Sequence, residues 1–161
     1  MTFLKRAAKA ERGAELIEFA LVFPLLLLIV LGIVDFGFMF QRLEVVTNAA
    51  REGARLAVLP GYDDADIEKR VCDYVLTGGV PVTGNCSPTG DNPTVVVTDA
   101  NIPVDDPDDP SASISGKQVA VTYTHNYLFV GGIATWFGGG GFTTVPLRGV
   151  ATMRDEVPSS P

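Results

Sequence analysis

The chain begins polar, becomes almost uniformly apolar, then becomes amphipathic. From Leu16 to Val34 the only charged position is Glu18. Those nineteen residues would span about 28 Å as a helix, close to the ~30 Å hydrocarbon core of a bilayer. One transmembrane helix is therefore expected at about residues 16–40. Beyond Phe40, Leu43, Val46, Ala50, Gly53, Ala54 and Ala57 recur at helical spacing, with Glu44, Asn48, Arg51 and Arg55 on another face. The pattern reads as one long helix over 14–58, membrane-spanning first and amphipathic over 41–58, ended by Pro60-Gly61. Pro24 removes one backbone donor and predicts a local kink, which membrane helices tolerate. Small residues dominate the amphipathic stripe, so this half can lie close to a sheet or to another helix.

Residues 59–157 read as an α+β domain. Asp63–Val75 predicts a short helix, capped by Asp63 or Asp64, apolar at Ala65, Ile67, Val71 and Val75, and stopped by Gly78-Gly79. Pro81–Pro93 is a turn-rich connector. Three strand-like runs follow at Thr94–Thr98, Lys117–Val130 and Thr143–Arg154. The second alternates through Val119, Val121, Tyr123 and His125 on one side. The third carries an expected irregularity at Pro146 or Gly149. An Asp-Pro-rich loop over 101–115 separates the first two runs, and a Gly-rich loop over 131–141 separates the last two. A three-stranded antiparallel sheet covered on its apolar face by the long helix is the simplest assembly. Residues 158–161 read as a loose tail.

Charge orients this arrangement. Lys5, Arg6, Lys9 and Arg12 precede the apolar run, with only Glu11 against them. The positive-inside rule leaves residues 1–13 as a cytoplasmic leader and sends the rest across the membrane. The whole chain has a net charge of −7; without the leader, 8 basic and 18 acidic side chains remain, or −10. That sign argues against nucleic-acid binding and favours solubility outside the membrane. Cys72 and Cys86 both fall on the exported side, where a structural disulfide is the expected state. Closing about 15 residues contributes on the order of 3 kcal/mol in the chain-entropy picture. Free thiols or half of a metal site are weaker readings, since only His125 adds an imidazole. A cleavable secretory signal fits poorly, because the apolar run is long and no small-x-small site follows it. A cut is better placed before the run, at Gly13.

The sharpest local motif is Gly13-Ala14-Glu15-Leu16-Ile17-Glu18-Phe19. Glycine followed by this carboxylate and an aromatic residue resembles the prepilin-peptidase site of Flp/Tad-type pilins. The longer stretch Arg12–Leu28 together with Asn48-Ala-Ala-Arg-Glu-Gly-Ala-Arg55 resembles the TadE-like family, pseudopilins or minor pilins of the tight-adherence pilus apparatus. Phe19 stands where the small major Flp pilins commonly have Tyr, which favours the TadE-like side. The resemblance covers Arg12 to about Ala57, with a weaker echo in Gly149–Arg154. It implies a pilin-like α+β fold and cleavage after Gly13 by a membrane aspartyl peptidase. Ala14 then becomes the new N-terminus and Glu18 the fifth residue of the mature chain.

The physical logic of Glu18 stands beside the name. A charge in hydrocarbon costs a few kcal/mol or more and needs a partner. The α-amine of a processed neighbour is the matching cation, which makes Glu18 a register device for helix assembly. The plainer alternative is a carboxylate that snorkels at the cytoplasmic border. The resemblance further implies a structural subunit rather than an enzyme, without a cofactor. Its partners would be the prepilin peptidase, other pilins and the Tad machinery, in a hetero-oligomer. Its place would be the inner membrane as a single-pass protein, or the extracellular pilus after assembly. The alternative is an uncleaved single-pass protein whose acidic exported domain binds a ligand or partner.

Other polar features are less specific. Asp35 marks either the outer membrane boundary or, with Glu18 and Pro24, a contact with another subunit. Gly32 and Gly37 lack the four-residue spacing of the known dimer motif. Asp105, Asp106, Asp108 and Asp109 lack an EF-hand's spacing and read as a solvated acidic loop rather than a calcium site. His125 reads as a hydrogen-bonded structural residue. Gly138–Gly141 lacks the context of a phosphate cradle, and Trp136, Phe137 and Phe142 form either a contact patch or a cap on the core.

Overall fold

The computed structural model describes residues 2–84, 86, 92–105, 107, 109, 111–136, 138 and 143–155, with the backbone alone for 2–12, 14 and 136. Its elements are α1 (Thr2–Ala57), α2 (Asp64–Thr77), β1 (Thr94–Pro103), β2 (Ser113–Asn126), α3 (Val130–Trp136) and β3 (Thr144–Arg154). The chain folds as two compact units, one of Met1–Phe38 with Tyr127–Thr143 and one of Met39–Asn126 with Thr144–Pro161.

The second unit is α+β and includes the end of α1 from Met39. Its sheet is antiparallel in the order β1-β2-β3, with Val95 opposite Val121 and Tyr123 opposite Leu147. Period-2 alternation directs Val119, Val121, Tyr123 and His125 to the buried face. Val46, Ala49, Ala50 and Ala54 of α1 supply the facing stripe, and Ile67, Val71 and Val75 of α2 complete the core. The stripe is small because the elements approach closely. A Cβ added to Gly53 would lie 2.6 Å from Val71 Cγ2 and 3.1 Å from Val119 Cγ1.

Helix α2 begins with Asp63 as its N-cap, accepting from Asp66 N in a capping box. It leads to the expected disulfide, Cys72–Cys86. An exposed ion pair at 2.8 Å, Arg70–Glu52, joins α2 to α1 and adds little to stability, since water screens both charges.

Three boundaries differ from the sequence expectation. Strand β1 continues to Pro103, pairing Ile102 with Ile114, so the expected 101–115 loop shortens to a turn closed by Val104 N donating to Ala112 O. Strand β2 stops at Asn126, and residues 130–136, expected as strand end and Gly-rich loop, form α3. Strand β3 runs unbroken through Pro146 and Gly149. Gly149 serves packing, since a Cβ there would stand 2.7 Å from both Thr47 Cα and Val46 O.

The first unit holds the apolar part of α1. Helix geometry continues through the leader and through Pro24, and Glu15–Ala57 contains a stretch long and apolar enough to cross a membrane.

Candidate functional site

The candidate site is built on one helix. From Glu15 to Val30 every side chain of α1 is exposed, although all but Glu15, Glu18 and Pro24 are hydrophobic. Leu16, Ile17, Leu21 and Leu25 are each more than 60% exposed. Leaving such side chains in water forfeits about 1.5–3 kcal/mol each relative to burial, so an apolar environment outside the chain has to cover them. Phe19 and Phe23 stack one turn apart, with ring centroids 5.2 Å apart. Glu18 lies exposed in this surface. Gly13 is open as well, since an added Cβ would meet no atom within 4 Å. The structure thus places Gly13, Glu18, Phe19 and Pro24 along one uncovered helical segment, with the backbone of Ala14 continuing the same helix.

Asp35 is different. It is 1% exposed, and its carboxylate accepts three backbone hydrogen bonds from within its own unit. Leu128 N donates to Oδ1 at 3.1 Å, and Phe129 N and Val130 N donate to Oδ2 at 2.9 and 2.7 Å. These donors lead into α3, whose first-turn N–H groups have no partner within their own helix. The carboxylate satisfies the first of them, Val130 N, and also favours the positive end of the helix. Phe36 packs edge-on against Tyr127, with centroids 6.0 Å apart. Neither sequence reading of Asp35 included this partner, which lies 93 to 95 positions away.

A second polar cluster belongs to the sheet unit. His125, fully buried, accepts at Nδ1 from Arg42 Nη1 at 2.8 Å. A guanidinium can only donate, so Nδ1 carries no proton. The same guanidinium stands 5.9 Å from the Tyr123 ring centroid, within cation–π range. His125 is thus a hydrogen-bonded structural residue, and Arg42 is its partner, unanticipated from sequence.

Among the described residues no three His, Cys, Asp or Glu side chains are grouped to hold a metal. In the acidic loop, Asp105 and Asp109 are exposed. Asp109 Oδ1 accepts from the Ser111 hydroxyl at 2.6 Å and from Ser111 N at 3.0 Å. Those bonds, the hydroxyl first, hold its carboxyl below the usual range and favour the turn at neutral pH, a contribution lost as pH falls through the lowered value. Asp106, Asp108, Phe137 and Phe142 lie outside the described residues.

A long apolar N-terminal helix whose far half packs on a small antiparallel sheet is a pilin-like α+β architecture. Residues 13–55 match the family model described as TadE-like protein, so the chain carries a TadE-like segment. That family is one of pilus components and is not known as an enzyme family. No curated protein and no solved structure matches the chain.

Proposed function

We propose that this protein is a TadE-like minor pilin, or pseudopilin, stored in the cytoplasmic membrane, processed after Gly13 by a prepilin peptidase and used in assembling a Tad-type pilus. The observation that carries the reading is the uncovered apolar surface of α1 from Leu16 to Val30, interrupted by Glu18 and lying within the TadE-like segment. Lipid covers that surface in storage, and helices of neighbouring subunits cover it in the fibre. The basic leader keeps the N-terminus cytoplasmic and the sheet unit outside.

Cleavage after Gly13 converts Ala14 into an α-ammonium. Glu18 of an adjacent subunit is its counter-ion, and in a low-dielectric bundle the unpaired state of either group is the costly one. Since Glu18 lies four residues beyond Ala14, pairing across chains sets an axial stagger on the order of 6 Å. Gly13 lies within a helix, so scission requires local unwinding. Glycine's helix propensity, about 1 kcal/mol poorer than alanine's, eases that opening.

The test is Glu18→Ala in a host with intact Tad machinery. Membrane insertion and cleavage should persist while the subunit is lost from sheared pili. Normal incorporation of the variant would remove the register role.

A further inference from the structure

Asp35 is the first charge after Glu18, five residues before the expected end of the span at Phe40, and it pins residues 128–130 to that level of the helix. We propose that the Leu128-Phe129 turn and α3 form a membrane foot, seated in the interfacial layer of the bilayer beside the outer end of the span. This rests on the membrane-anchored reading given above.

Three observations support a lipid surface as the occupant. The first is continuity. The foot and the apolar part of α1 up to Phe38 belong to one compact unit, and the three hydrogen bonds fix the foot at the level of Asp35, in the last turns of the span. The second is exposure. Leu128 is 60% and Phe129 40% exposed, and Ile33 and Phe36, in the turn of α1 that carries Asp35, are also uncovered. This surface therefore extends the lipid-facing side of the span. The third is chemistry. Between His125 and Arg148 the chain has no Asp, Glu, Lys, Arg or His. A protein-docking patch usually has a polar rim; this segment instead offers aliphatic and aromatic groups of the kind that populate membrane interfaces.

The clasp also resolves a difficulty of that location. A carboxylate or backbone N–H group that dips into the hydrocarbon is costly when unpaired. Here each satisfies the other, so the turn can enter the interface without an unpaired polar group among the three.

Trp136, at the end of α3 and the only tryptophan in the chain, provides the probe. Full-length protein is reconstituted in phosphatidylcholine vesicles and washed at alkaline pH to verify the span. Trp136 emission should be blue-shifted, lose intensity to bromines high on the acyl chains, about 5–10 Å below the headgroup boundary, and resist aqueous acrylamide. A second version, Trp136→Phe with Leu128→Trp, moves the probe into the turn, and bromolipid quenching of either probe supports the foot. In Asp35→Ala, quenching should shift from bromolipid to acrylamide while alkali-resistant retention stays unchanged. An anchored protein with both probes open to acrylamide and untouched by bromolipid would overturn the inference. Shielding of both probes from both quenchers, as a second copy or another protein would produce, overturns it too. Loss of the protein in the alkaline wash removes the anchored reading itself, a distinct failure.

Discussion

Glu18 and Asp35 both lie among apolar residues of α1, and their surroundings give them different work. Asp35 is enclosed and accepts three N–H groups of its own chain, whereas Glu18 is exposed in an apolar surface. Hydrogen bonds to a charged group contribute about 1.5–3 kcal/mol each, so Asp35 is a strong polar tie between α1 and the 128–130 turn. Asp35→Ala should therefore raise amide hydrogen exchange at Leu128, Phe129 and Val130 by about tenfold or more, the equivalent of a single lost bond. Exchange at Val119 and Val121, in the separate sheet unit, should not change. Unaltered exchange at 128–130 would show that the turn is held by other contacts.

At the scale of elements, what was legible in the sequence followed periodicity. Alternation marked Val119, Val121, Tyr123 and His125 as one face, and 3.6-residue spacing marked Val46, Ala50, Ala54 and Ala57; all of these are buried. The capping chemistry of Asp63 placed the start of α2. Features depending on distant partners were hidden. Helix α3 contains Gly131-Gly132, whose weak helix propensity argued for a loop; what ties its start to α1 is a residue 95 positions away. Arg42 could not be paired with His125 from spacing alone. Gly149 looked like a strand irregularity because its cause, the backbone of α1 at Val46–Thr47, is visible only in three dimensions. This last point is testable. In Gly149→Ala the new methyl meets backbone rather than a movable side chain, so the sheet unit should lose about 1–3 kcal/mol, read from the unfolding midpoint of the full chain in detergent. Gly37→Ala, where a Cβ meets nothing within 4 Å, should show no loss. Equal midpoints for the two variants would contradict the close approach.

For the molecule as a whole, one helix performs two tasks. Its first part presents an apolar surface that the chain leaves uncovered, and its continuation from Val46 supplies one stripe of a folded core. On the proposed reading, the subunit moves from bilayer to fibre without refolding its sheet unit, because the covering of Leu16–Val30 changes while the core stripe does not. The site motif was legible because it is local: Gly13, Ala14, Glu18 and Phe19 lie within seven residues. The central claim is that this motif is cut, converting an anchor into a subunit with a charged N-terminus beside a carboxylate. The direct measurement is the intact mass and N-terminal sequence of the protein extracted from membranes of a host with the prepilin peptidase. The expected first residue is Ala14, with cleavage abolished in a peptidase-deficient host. Recovery of only the chain beginning at Met1 in the competent host would contradict the account.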